Sequence, residues 1–120
     1  MGPAPKIGTR GAQRELSRGT LELAVLALIQ TTPRYGYDLL TSLIDDTGGA
    51  LDVKEGTLYP VLHRLEDAGY IEASWQAEGR AAPRKYYGLT KEGKQRLALL
   101  KTEWERLASG MTQLLNGGKR

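Results

Sequence analysis

The sequence predicts a mainly α-helical fold with a small β-hairpin (α+β), in the order helix, helix, helix, hairpin and long helix. Three observations predict this order. Apolar residues recur at helical spacing in three segments before residue 69, the period falls to two between residues 71 and 89, and a regular apolar seam begins at residue 97. Because 120 residues suffice for one compact domain with one or two appended elements, we expect a single core.

The first predicted helix follows a segment that has little apolar periodicity. Residues 1–15 contain Lys6, Arg10 and Arg14 among glycines and prolines, which predicts a flexible basic arm. The pattern becomes helical at Leu16, with Ser17 as the predicted N-cap. Both faces of this helix are apolar, which indicates a central position, and its main stripe consists of Leu21, Ala24, Val25, Leu28 and Ile29.

The second predicted helix begins after Pro33 and ends at Gly48 and Gly49, since paired glycines favour a helix stop. Its apolar stripe consists of Gly36, Leu39, Leu40, Leu43 and Ile44.

The third predicted helix ends at Gly69 and has an apolar stripe made of Leu58, Val61, Leu62 and Leu65. Asp52 and Glu55 have the spacing of a capping box at its start. Pro60 lies inside the pattern, and an interior proline loses a backbone hydrogen bond. The regular helix therefore either begins near Thr57 or bends at Pro60.

Two alternating segments predict an antiparallel hairpin. In the first, Ile71, Ala73 and Trp75 alternate with polar residues, as in a half-buried strand. Residues 77–83 form the loop, and in the second segment, residues 84–89, Tyr87 and Leu89 share one face. The loop is longer than a tight turn.

The last segment, residues 90–116, predicts a long helix that begins at the cap residue Thr90, followed by a disordered tail at residues 117–120. Such a helix is about 39 Å long, so it projects beyond a body whose radius of gyration is about 11 Å. Its large apolar residues alternate spacings of three and four, as in a coiled coil, which predicts a homodimer. We call the following residues the apolar seam: Leu97, Leu100, Trp104, Leu107, Met111 and Leu114. The alternative is that this helix folds back onto the first helix.

This order of elements is that of a winged helix-turn-helix, assigned to residues 16–89, in which the hairpin is the wing and the third helix enters the DNA major groove. The third helix offers donors for phosphates and base edges at Lys54, Thr57, Tyr59, His63 and Arg64. The wing offers Arg80, Arg84 and Lys85 against Glu78 alone. Each residue on the helix has an open alternative as a solubilising surface residue, and for His63 that alternative is favoured.

The composition argues against several other classes of protein. With no cysteine, one histidine and no glycine-rich phosphate loop, we expect no catalytic residues, no metal site and no cofactor. The longest apolar stretch, residues 21–29, is too short to span a membrane, and the N-terminus lacks a signal-peptide pattern, so we expect a cytoplasmic protein. The net charge of +3 permits an anionic partner.

The chain resembles the PadR family of transcriptional regulators, in particular its small subfamily with one C-terminal helix. The resemblance covers nearly everything from Leu16 onward and lies in the segments GTLELAVLALI, YGYDL, EGTLYPVLHRLEDAGYI and RKYYGLTKEGKQRL. It implies a homodimeric repressor that leaves its operator when a signal arrives. The twofold axis of such a dimer would match a palindromic operator in double-stranded DNA. The resemblance also implies that Tyr37, the segment 57–59, His63 or Arg64, and the wing near Arg80 and Arg84 lie close to DNA.

The resemblance further implies a site for a small planar apolar effector, because Trp104 matches the stretch in which some relatives stack drugs on a tryptophan. An equal alternative is that Trp104 simply packs in the dimer core. The alternative function for the whole chain is a winged-helix module that binds another protein and has no sequence-specific DNA binding.

Overall fold

The computed structural model describes residues 19–118. The basic arm at residues 1–15 and Ser17 lie outside the described residues, as do residues 119–120 of the tail. The elements follow the order α1 (Leu21–Leu28), β1 (Arg34–Tyr35), α2 (Gly36–Asp45), α3 (Glu55–Asp67), β2 (Ile71–Gln76), β3 (Arg84–Leu89) and α4 (Lys91–Leu115). This confirms the predicted α+β class.

The core forms where three helices meet one face of the sheet. Helix α1 contributes a buried stripe, and α2 and α3 contribute the leucines that their spacing predicted. The sheet closes the core from the other side through Ile71 and Tyr87. The fully assembled cluster consists of Leu21, Val25, Leu26, Ile29, Leu39, Leu43, Leu58, Val61, Leu62, Leu65, Ile71 and Tyr87.

The sheet has three strands rather than the two of the predicted hairpin. Strand β3 is central and pairs antiparallel with both β2 and β1, so Arg34 lies opposite Tyr87 and Tyr35 opposite Tyr86. Strand β1 was missed because two residues are too few to show an alternating pattern. Its pairing covers an edge of β3 that the hairpin alone would leave open.

The start of α3 differs from the sequence-based expectation. The N-cap is Lys54 rather than Asp52, so the predicted capping box is wrong, and the Asp52 carboxylate lies 3.9 Å from the Lys54 ammonium. The helix continues through Pro60, which is exposed. It ends at Asp67, and two residues later Gly69 has φ +82° and the Tyr70 N–H bonds to the Leu65 carbonyl as the chain turns into β2.

Helix α4 begins as predicted at Thr90, whose hydroxyl accepts a hydrogen bond of 2.9 Å from the Gly93 N–H. The same hydroxyl donates to the Gly69 carbonyl at 2.6 Å, which ties the helix start to the end of α3. Gly93 is buried, and a Cβ there would overlap the Tyr70 carbonyl oxygen. The first turns of α4 are therefore fixed against the base of the wing.

Candidate nucleic-acid interface

The outer face of α3 carries three of the predicted DNA contacts. The stripe that begins at Leu58 is buried in the core, so the opposite face of the helix points to solvent. Thr57, His63 and Arg64 are all exposed on that side, and Lys54 is exposed just before the helix. A helix anchored along one face, with donors along the other, can enter a major groove without disturbing its own core.

Tyr59 and Tyr37 lie where α2 meets α3. The Tyr59 hydroxyl packs against Gly36, the first residue of α2, so closely that a Cβ at Gly36 would overlap it. Tyr59 is about one-third exposed, whereas the neighbouring Tyr37 is 64% exposed. Tyr59 thus fixes the angle between the two helices, while Tyr37 is open to a partner.

The outer face of the wing holds Arg84 in a defined position. The Arg84 guanidinium lies over the Tyr35 ring, 4.6 Å from its centroid. Tyr35 in turn contacts Tyr86 edge to face, with ring centroids 5.4 Å apart. Because stacking leaves the N–H groups at the edge of a guanidinium available, Arg84 remains able to donate to an anion.

The wing loop presents Arg80 at an exposed turn. The Ala81 N–H bonds to the Glu78 carbonyl at 3.1 Å, and Gly79 between them has φ +60°. Gly79 is the second residue of this four-residue turn, and a turn with a positive φ at that place favours glycine there. Arg80 therefore follows a residue suited to a tight bend and points away from the core.

Lys85 occupies a different environment from the two arginines. Its ammonium lies 3.6 Å from the Glu66 carboxylate on α3 and 5.4 Å from the centroid of the Tyr87 ring. Burial raises the pKa of the Tyr87 hydroxyl above its ordinary value, and the charge of Lys85 opposes that shift. Lys85 thus joins the wing to α3, a contact that its position in a basic run did not indicate.

Two features near this surface were not among the predicted site residues. Trp75, expected on a half-buried strand face, is instead 69% exposed, because β2 extends beyond the helices at that point. Arg96 on α4 forms an ion pair of 3.0 Å with Glu22 on α1, which raises the pKa of its guanidinium, and it lies over the Tyr70 ring. The sequence did not indicate that Trp75 is exposed, because the alternation of apolar and polar residues continues to the end of the strand.

The predicted apolar seam divides into two parts. Leu97 and Leu100 pack against the core of their own domain, so the alternative that α4 folds back onto α1 is correct for these first turns. Beyond Leu100 the seam is open to solvent. Its exposed members are Trp104, Leu107, Met111 and Leu114.

Residues 19–118 contain neither a cluster of metal ligands nor a helix able to span a membrane. In that range no three His, Cys, Asp or Glu side chains come together in a way that could hold a metal ion. None of the helices in the same range has both the length and the hydropathy needed to cross a membrane.

Comparison with known proteins identifies the family. The model of the PadR-like family of transcriptional regulators matches residues 25–99. A PadR family transcriptional regulator from Eggerthella lenta DSM 2243 is similar in structure, with 37% identity, a TM-score of 0.77, and 91% of this chain and 93% of that chain covered.

Two further matches involve one relative. The negative transcriptional regulator PadR of Bacillus subtilis (strain 168) is 32% identical over 77 residues, which cover 64% of this chain and 42% of that protein. The crystal structure of Bacillus subtilis PadR in complex with operator DNA is 32% identical, with a TM-score of 0.60 over 66% of this chain and 45% of that chain. The chain thus spans less than half the length of this relative.

The matched residues include the whole of α3 and the whole wing, and they end in the first turns of α4. The matching surface is therefore the one that presents donors on α3 and arginines on the wing. From the family model and the similarity to several of its solved members, we conclude that the chain belongs to the PadR-like family of transcriptional regulators and is not an enzyme.

Proposed function

We propose that the protein is a repressor that binds operator DNA, with α3 in the major groove and the wing against the neighbouring backbone. The observation that carries this proposal is the outer face of α3, where Thr57, His63 and Arg64 are exposed while the opposite face is anchored in the core. The relative solved in complex with operator DNA supports it. Because operator DNA is the proposed ligand, we propose that the protein acts in the cytoplasm.

The donors on this surface differ in the role we assign to them. Lys54, Arg80 and Arg84 supply positive charge for phosphates, and the donors on α3 reach base edges. Lys85 is half-buried and paired with Glu66, so we assign it to holding the wing against α3. Tyr37 is well exposed at the start of α2 and is assigned to the backbone that α2 crosses.

We propose that two copies join through the exposed half of α4 and read a palindromic site. Trp104, Leu107, Met111 and Leu114 leave an apolar ridge in water, and a second copy of the same helix would cover it. A twofold axis would then relate two α3 helices and two wings, as a palindromic operator requires. The relative described as a negative transcriptional regulator supports repression as the outcome.

We also propose that a small planar apolar molecule acts as the effector and stacks on Trp104 between the two α4 helices. The indole is 44% exposed in the single chain and neighbours Leu107 along the seam, so it can form one wall of an apolar slot. Pyrene, a planar apolar aromatic molecule, is expected to quench tryptophan emission of the wild type. The quenching should be lost in Trp104→Ala, and its persistence there would place the pyrene elsewhere.

The proposed DNA binding is tested with a duplex taken from the region upstream of the chain's own coding sequence. A mobility-shift titration should give a specific complex whose affinity falls steeply between 50 and 200 mM salt, because phosphate contacts release counterions. Arg84→Ala should bind about ten-fold more weakly, the equivalent of roughly 1.4 kcal/mol.

The matched control is Arg106→Ala. Arg106 is exposed on α4 and paired with Glu103, so this variant loses the same charge at a site away from the wing. Equal losses in the two variants would mean that only net charge matters. Binding that does not depend on salt, or no complex with any duplex, would overturn the proposed function and favour a protein partner.

A further inference from the structure

The indole of Trp75 is a large apolar group that the wing leaves open to solvent. It belongs to the sheet face that also carries Ile71 and Ala73, yet it is 69% exposed. Ile71 is buried and Ala73 is half-buried, so exposure rises along β2 as the strand leaves the helices. Packing in the core of its own domain therefore does not account for a tryptophan at this position.

Trp75 lies opposite Lys85, the residue that pairs with the last turn of α3. The two residues are directly opposite in the register of β2 and β3, where side chains on one face have Cβ atoms about 4.5–5.5 Å apart. The Lys85 ammonium is 3.6 Å from Glu66, close to the end of α3 at Asp67. The indole thus stands near the helix whose outer face presents His63 and Arg64.

The charges around Trp75 favour a polyanion. Arg84, in the next residue pair toward the loop, lies on the opposite face of the sheet, and Arg80 lies on the exposed turn beyond it. Within residues 76–85 the only acidic residue is Glu78, so the end of the wing carries a net positive charge. An apolar surface at the positively charged end of the wing matches a sugar–phosphate backbone, in which apolar sugar faces alternate with phosphates.

Building on the proposed operator binding, we infer that Trp75 is a DNA contact of the wing and that its indole packs against the deoxyribose rings of the backbone. Arg80 on the adjoining turn pairs with a neighbouring phosphate, and the indole N–H donates to a phosphate oxygen. Tryptophan suits such a boundary because its ring is apolar and one edge is polar. Deoxyribose is present in every duplex, so this contact adds affinity without selecting a sequence.

Three variants measured by fluorescence anisotropy with a labelled duplex from the upstream region test the inference. Trp75→Ala should bind about ten-fold more weakly than the wild type, and Trp75→Phe should stay within about three-fold because a ring is retained; ten-fold corresponds to roughly 1.4 kcal/mol. The matched control is Gln76→Ala, the exposed neighbour on the other face of the strand, which should bind like the wild type. Thermal unfolding followed by circular dichroism verifies that each variant folds.

A second measurement reports on the indole itself in the unmutated chain. The protein is labelled with 5-fluorotryptophan, which gives one ¹⁹F resonance for Trp75 and one for Trp104, and the resonance missing from Trp75→Phe is that of Trp75. Adding the duplex should shift this resonance and reduce its sensitivity to exchange of H₂O for D₂O, because the ring becomes covered.

The outcomes separate this inference from the proposed function. If the wild type binds the duplex while Trp75→Ala binds equally well and the Trp75 resonance does not move, the inference is overturned and DNA binding stands. If the wild type binds no duplex at any salt concentration, both fail. A ten-fold loss in Gln76→Ala as well would show a general effect on the wing and would also overturn the role of the indole.

Discussion

Replacing Leu107 by alanine is predicted to weaken the proposed homodimer. Leu107 lies in the half of α4 beyond the core and is 60% exposed in the single chain. Full burial of a leucine side chain contributes about 1.5–3 kcal/mol, so covering the exposed part contributes about 1–2 kcal/mol. A twofold interface contains two copies of Leu107, so the variant dimer loses about 2–4 kcal/mol. Its dissociation constant should therefore rise roughly 30- to 1,000-fold.

Leu99→Ala is the matched control for this measurement. Leu99 is the same residue type on the same helix and is 54% exposed, but it lies off the three-and-four spacing of the apolar seam. Sedimentation equilibrium of wild type, Leu107→Ala and Leu99→Ala gives the three dissociation constants. Equal constants for the two variants would refute the assignment of the seam, and a wild type that remains monomeric at its highest soluble concentration would refute the dimer.

Three further predictions concern the stability of the fold, and urea unfolding followed by circular dichroism can measure each of them. Gly93→Ala should lower the free energy of unfolding by about 1–3 kcal/mol, because its Cβ would overlap the Tyr70 carbonyl; an unchanged value would mean that α4 can shift without cost. Thr90→Ala should cost about 1–2 kcal/mol, since it removes the cap of α4 and the bond to the Gly69 carbonyl, whereas Thr90→Ser should retain most of both. Burial raises the pKa of Tyr87 in the folded chain, so the unfolded state loses its proton first as pH rises through the ordinary tyrosine value of about 10. The contribution of Tyr87 to the free energy of unfolding is thus complete below that pH and is lost as the pH rises above it. Tyr87→Phe should therefore show a smaller fall in the free energy of unfolding than the wild type over this pH range.

The ion pair between Arg96 and Glu22 links the proposed dimer helix to the DNA-binding domain. It connects α4 to α1, and the same guanidinium lies over Tyr70 at the base of the wing. Together with the close approach of Gly93, this fixes the direction in which α4 leaves the domain. In a dimer held by the far half of α4, that direction would set the separation of the two α3 helices.

Patterns of charge and apolar spacing in the sequence were enough to identify part of the proposed DNA surface. The basic residues of α3 and the wing could be identified because a helical stripe defines which side of the helix is buried and therefore which side is exposed. Thr57, His63 and Arg64 are all on the exposed side. Lys85 belongs to the same basic run, but its pairing with Glu66 depends on how the wing packs on α3, which no local pattern encodes.

The sequence by itself determined the order of the elements, the stop at Gly69, the cap at Thr90 and the leucines of the core, because each depends on periodicity or on the local backbone. Only the tertiary structure decided where contacts between distant segments begin and end. Strand β1 exists because β3 offers it an edge, and Trp75 is exposed because it lies toward the outer end of β2, where burial against the helices falls off. The apolar seam divides after Leu100 for the same reason: heptad spacing records which face of α4 is apolar, but the size of the packed domain determines how far that face is covered.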